Sequence, residues 1–338
     1  MDLLSRLLEE KGVLLADGAT GTNLFEMGLT SGHSPEFWND EEPEKIRKLH
    51  QDFVDAGSDI ILTNTFGGNR HRLKLHNAQD RVFELNEKAA RIAREVADNA
   101  GRPVVVAGSV GPTGELLVPL GALTKEEAKE AFVEQMEGLK AGGADVVWIE
   151  TMSAVDEIEA AAAAAAQAGM PYVITASFDT AGKTMMGLAP GDMPSTLSGQ
   201  SQAPLAMGAN CGVGASDLLS SVLDMTAANP SAIVVAKANC GIPEIRGEKV
   251  VYTGTPELMA DYTRMAMDAG ARIIGGCCGT SCNHLRYMRK ALDEHLTDEK
   301  PGRPTVEEIV EKIGPMKNAT SSANDAAPRR ERRGRRRA

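Results

Sequence analysis

Five cysteines are the first residues whose type and spacing suggest chemistry: Cys211, Cys240, Cys277, Cys278 and Cys282, all in the C-terminal half. An odd number in a long chain argues against a disulfide framework and for metal or thiol chemistry. Three of them stand where apolar runs end. Cys211 closes Gly208-Ala209-Asn210-Cys211, and Cys277 and Cys278 close Gly275-Gly276-Cys277-Cys278. Neighbouring cysteines bridge each other only with strain. Flanked by glycine, they can instead turn two thiolates toward one ion. Three thiolates suit Zn²⁺ in a tetrahedral site whose fourth position stays open. A fourth sulfur is deprotonated by the metal, and the added negative charge of the thiolate assembly keeps it nucleophilic. That chemistry favours attack of a thiol on an electrophilic methyl group. Two plainer readings fit the same residues: a closed structural site with Cys240 as fourth ligand, and thiols that only pack. Cys240 and Cys282 are assigned to packing.

Two carboxylates end apolar runs of the same kind. Asp17 opens Asp17-Gly18-Ala19-Thr20-Gly21-Thr22, and Glu150 stands in Ile149-Glu150-Thr151. The glycines allow backbone N–H groups to meet a carboxylate, so Gly18 and Thr20 are candidate substrate contacts. Asp17 and Glu150 suit an ammonium group. Together the set suits a zwitterionic amino acid. Each acid could instead cap the helix that follows it. The loop lacks the spacing of a nucleotide-binding glycine motif.

These residues need a scaffold that brings distant strand ends together. Eight short apolar runs recur: 13–17, 59–63, 103–108, 145–150, 172–176, 205–210, 233–237 and 272–276. They are continuous rather than alternating, as in strands buried on both faces. Amphipathic segments separate them, such as 43–56, 84–99 and 124–141. Several end in Ala-Gly, at Gly57, Gly142, Gly169 and Gly270, where a left-handed cap is expected. A doubly wound open sheet uses the same units, but eight of them point to a (β/α)8 barrel over residues 1–315. In a barrel all eight C-terminal strand ends open on one face, where active sites lie.

The quoted stretches resemble the homocysteine S-methyltransferase domain. That domain is shared by betaine–homocysteine methyltransferases, S-methylmethionine enzymes and the first module of cobalamin-dependent methionine synthase. Further matching stretches are Leu62-Thr63-Asn64-Thr65-Phe66-Gly67 and Gly108-Ser109-Val110-Gly111-Pro112-Thr113-Gly114-Glu115. The likeness covers about residues 12–295, and the whole chain looks most like bacterial betaine–homocysteine methyltransferases. The resemblance implies a TIM barrel with zinc on Cys211, Cys277 and Cys278. It implies homocysteine as methyl acceptor, its amino group held by Asp17 and Glu150. Asn239, at the end of the seventh run, is a candidate oxygen ligand or substrate contact. Betaine is the expected donor. A quaternary ammonium needs aromatic faces around it. Animal betaine enzymes have a tyrosine where this chain has Gly67, and a tryptophan where it has His33. Phe66 remains for the donor, and Trp38 lies close in sequence. The same departures resemble the methionine synthase module, so a separate methylcorrinoid protein, or S-methylmethionine, is the alternative donor.

Composition agrees with such a domain. The chain has 338 residues and a formal net charge of −11, which disfavours nucleic-acid binding by its body. Residues 316–338 differ, with one lysine and seven arginines against two acids. They read as a disordered tail, a candidate contact for nucleic acid or an acidic partner. No apolar run of about 18 residues suggests a membrane span. Met1-Asp2-Leu3-Leu4-Ser5-Arg6 lacks the pattern of a secretory signal, so the cytoplasm is the expected compartment.

Overall fold

The computed structural model describes residues 1–241, 243–246, 249–297 and 302–317. The arginine-rich segment lies outside the described residues. All eight apolar runs form parallel strands. They are β1 (Leu14–Leu15), β2 (Ile60–Leu62), β3 (Val105–Val110), β4 (Val146–Met152), β5 (Tyr172–Ala176), β6 (Ala206–Cys211), β7 (Val234–Ala238) and β8 (Ala271–Gly276). From β2 to β8 each pairs with its neighbour in sequence, and β8 pairs with β1 through Leu14↔Ile273 and Leu15↔Ile274. A parallel bridge between Ala16 and Ile60 joins β1 to β2 and completes the ring. The Asp59 N–H, donating to the Leu15 carbonyl at 2.7 Å, supports the same seam. The open-sheet alternative is thereby excluded.

Strand parity explains the continuous apolar runs. Leu14, Ile60, Leu62, Val105, Ala107, Val146, Trp148, Val235 and Ile273 share one cluster inside the barrel. The residues between them, such as Leu15, Ile61, Val106, Val147 and Ile274, join the layer under the helices. Both faces of each strand are therefore dry. The helix Leu3–Lys11 adds Leu4, Leu7 and Leu8 to the inner cluster. Each such buried side chain contributes about 1.5–3 kcal/mol.

The expected helices form at Pro43–Asp55, Val82–Asp98 and Lys125–Ala141. The last starts at a reciprocal cap between Thr124 and Glu127. Three of the four Ala-Gly ends have the expected positive φ, at Gly57, Gly169 and Gly270. Gly142 does not; its φ is −78° and the left-handed residue is Gly143. Glycine is needed at 142 for another reason. A Cβ there would sit 2.3 Å from the Glu87 carbonyl oxygen on the neighbouring helix. One element was not expected: an antiparallel hairpin, Pro243–Arg246 with Lys249–Tyr252, follows β7.

Candidate active site

The barrel brings Cys211, at the end of β6, to Cys277 and Cys278 after β8. Their sulfurs all lie within 4.8 Å of one another. Cys211 Sγ is 2.8 Å from Cys277 Sγ and 4.0 Å from Cys278 Sγ, although 66 positions of sequence separate Cys211 from Cys277. Cys240 stands apart: it is buried and its thiol donates to the Gly254 carbonyl. Burial pushes that thiol up to about 12. Cys282 is also outside the cluster. Among the described residues, a closed site with Cys240 as fourth thiolate is therefore not formed.

Local backbone shape aims these sulfurs. Cys211 has φ +59° and the facing Thr151 has φ +63°. Non-glycine residues hold such angles only when their surroundings over-determine them. Asn210 does much of that work from a buried position. Its Oδ1 accepts from the Thr151 N–H at 2.8 Å and from the Thr175 hydroxyl at 2.6 Å. Its Nδ2 donates to the Thr151 hydroxyl at 2.7 Å. Asn239 joins the two cysteine loops. Its Oδ1 accepts from the Cys278 N–H at 3.1 Å, and its Nδ2 donates to the Gly212 carbonyl at 2.7 Å. In this arrangement it braces the cluster and does not line the cavity in front of it.

Three thiols so close cannot all ionise without a cation. Hydrogen bonds with Cys277 and Cys278, then burial, push Cys211 up. The bond with Cys211 works against the same rise at Cys277, but the contact with Cys278 and burial outweigh it. Cys278 is pulled down instead, by its hydrogen bonds with Cys211 and Cys277, against burial, and Tyr252 of the hairpin adds a further bond. Without metal the thiolate is thus favoured at Cys278 and disfavoured at Cys211 and Cys277.

The cluster opens on a cavity of about 550 Å³. Gly18, Thr20, Phe66 and Glu150 line it. Gly18 must be glycine: a Cβ would lie 2.5 Å from the Thr280 carbonyl oxygen. Glu150 follows Trp148 in the inward register of β4 and accepts from the Ser109 hydroxyl at 2.5 Å. Burial raises its pKa, against the pull of Lys237 and the Ser109 bond. Asp17 lies a layer deeper, fully buried, and does not line the cavity. Its Oδ1 accepts from Lys237 Nζ and its Oδ2 from the Leu62 N–H, both at 2.7 Å.

Sequence reasoning missed Lys237, which lies in the cavity floor. Burial pulls its pKa down, but Asp17 and Glu150 outweigh burial and raise it. Its ammonium also sits 5.7 Å from the Trp148 ring centre. Strand parity signals its position, because Val235 faces the barrel interior and Lys237 is two residues on. Trp38 departs from the expected aromatic cage. It is buried away from the cavity, and Lys45 Nζ already covers its ring at 4.3 Å.

The fold and this site define a TIM barrel with a cysteine cluster at the C-terminal strand ends, beside a carboxylate and a lysine. The sequence profile of homocysteine S-methyltransferases matches residues 14–292, and the chain belongs to that family. It is 30% identical over 308 residues to a methionine synthase of Mycobacterium tuberculosis, and 29% identical to that of Mycobacterium leprae. Each alignment covers 86% of this chain but only 25% of the relative, so the chain spans about a quarter of those proteins. The metallated form of the homocysteine methyltransferase MmuM from Escherichia coli superposes with a TM-score of 0.72 at 25% identity. That match covers 86% of this chain and 99% of MmuM. Among the described residues, no helix is long and apolar enough to cross a membrane.

Proposed function

We propose that this chain transfers a methyl group to the thiol of homocysteine, with betaine as donor and zinc on Cys211, Cys277 and Cys278. One observation carries the reading: three clustered sulfurs open on a cavity whose floor also holds Glu150 and Lys237. The donor set fits zinc, since soft thiolates at this spacing select such ions. When bound, zinc supplies the charge that keeps a fourth sulfur deprotonated at neutral pH.

The chain's own residues do the rest. Glu150 accepts the homocysteine ammonium. Asp17 adds negative charge from beneath and fixes Lys237. Gly18 and Thr20 present the first turn of Thr20–Glu26, whose N–H groups lack intrahelical partners, to the carboxylate. Asn239 keeps the two cysteine loops in register. Homocysteine loses its thiol proton to water. Its sulfur lone pair forms the new S–CH₃ bond while the N–CH₃ bond of betaine breaks, its electron pair staying on nitrogen. Methionine and dimethylglycine leave. Holding both reactants in line makes the step effectively unimolecular.

A second reading keeps the acceptor and takes the methyl group from a methylcorrinoid protein. Exposed apolar residues near the cavity mouth, including Phe25 and Leu75, favour it. So do the longer methionine synthase relatives. Purified zinc-loaded protein is assayed for methionine with betaine, S-methylmethionine and methylcobalamin in parallel. Turnover with betaine that is lost in Cys278→Ser is expected. Turnover with methylcobalamin alone would replace betaine by the corrinoid reading.

A further inference from the structure

The outer part of the cavity holds two charged side chains that the steps above leave unused. Glu36 is 5% exposed and lines the cavity. Its Oε1 accepts from the Gly67 N–H at 2.6 Å, and its Oε2 from the Ser34 hydroxyl at 2.5 Å. Among the described residues no lysine, arginine or histidine pairs with it. A buried carboxylate without a counter-ion is costly. In a cavity wall, the counter-ion can come from a ligand.

Arg72 is the opposite case. It is half-buried and lines the same cavity. Its guanidinium has no acceptor among the described residues; only its backbone is engaged, the N–H by Asn69 and the carbonyl by the Leu75 N–H. Phe66 lines the same cavity. It precedes Gly67, which binds Glu36. Its ring packs on Gly111, and Gly114 of the same loop packs on Arg72 Nη1.

We infer that Glu36, Phe66 and Arg72 form a subsite for a zwitterionic methylonium donor. The methylated ammonium or sulfonium lies against Glu36 and Phe66, and the donor carboxylate pairs with Arg72. This rests on the methyl-transfer reading. Methylonium groups are attracted to aromatic rings and to carboxylates they cannot hydrogen-bond. Arginine forks match carboxylates. The two unpaired charges thus select a donor that carries both signs, and they place its methyl end on the Phe66 side.

The test is calorimetric titration of the zinc-loaded protein without turnover, one ligand at a time. Betaine and S-methylmethionine form the two donor arms. Tetramethylammonium and trimethylsulfonium are controls lacking the carboxylate, and homocysteine is titrated separately. Glu36→Gln keeps an acceptor for Gly67 but removes the charge. It is expected to weaken donor binding at least tenfold while homocysteine affinity changes less than twofold. Arg72→Gln is expected to weaken the zwitterions at least tenfold and to leave the carboxylate-free cations unchanged. Binding in one arm only supports the subsite and assigns the onium as ammonium or sulfonium. Unchanged donor affinity in both variants, or no donor binding while homocysteine still binds, overturns the subsite and leaves the acceptor reading standing. Loss of homocysteine binding in the unaltered protein overturns both.

Discussion

Lys237→Met removes one charge from the barrel floor and keeps the side-chain length. At 2.7 Å, and with an effective dielectric of about 20, the Lys237–Asp17 pair attracts by about 6 kcal/mol. Desolvation of both ions offsets part of that. Removing one partner of a buried pair typically costs about 3–5 kcal/mol, because the other charge stays buried. The variant is expected to lose that much in urea unfolding at pH 8. The pH dependence has a definite sign. Burial raises the Asp17 pKa, and Lys237 is what opposes the rise most. Without Lys237, folded Asp17 binds a proton more readily than the unfolded chain does. Stability then falls as pH rises from the unfolded value through the folded one. The defect should be larger at pH 8 than at pH 5 and smallest near pH 4. Adding Asp17→Asn keeps a side-chain acceptor for the Leu62 N–H and removes the stranded charge. The double variant should recover at least half of the loss. Additive losses with no pH dependence would refute the buried-pair argument.

Further outcomes follow from other buried groups. His50 is fully buried, its ring nitrogens have no partner among the described residues, and burial pulls its pKa down to about 4. Its neutral form supports the fold above about pH 6.5, and that support is lost as pH falls toward 4, worth up to about 3 kcal/mol. His50→Leu should remove this part of the acid sensitivity in unfolding curves at pH 7 and pH 5. Asn210→Ala breaks its hydrogen bonds to Thr151 and Thr175 and frees the strained turn at Cys211, so a loss of about 2–4 kcal/mol is expected by denaturant titration. Its zinc affinity should also fall in a competition with a chromogenic chelator. Because their neighbouring sulfurs and burial push Cys211 and Cys277 up, zinc binding near pH 7.5 should release protons, read as buffer-dependent heats.

Much of the fold was legible in the sequence. Apolar runs buried on both faces leave a strong signal, so all eight strands were located, with boundaries shifted by a few residues at most. The cysteine cluster was legible because its three thiols each follow a buried strand, and a barrel gathers such positions on one rim. Lys237 was not, because a lysine inside an apolar run looks like the run's end. Only the inward parity of β7 reveals it. The depth of Asp17 was hidden for a related reason, since nothing local shows that its oxygens are taken by Leu62 and Lys237. Trp38 was placed near the donor by sequence distance alone, while the fold turns it against Lys45. The hairpin after β7 carries no strong alternation, yet its Tyr252 reaches Cys278.

The central claim is an open thiolate site that takes a substrate sulfur as its fourth ligand. X-ray absorption at the zinc edge of the loaded protein tests it most directly, with and without homocysteine. Three sulfur neighbours and one lighter atom should become four sulfurs when homocysteine is added. Four sulfurs before addition, or a spectrum that homocysteine leaves unchanged, would contradict the account.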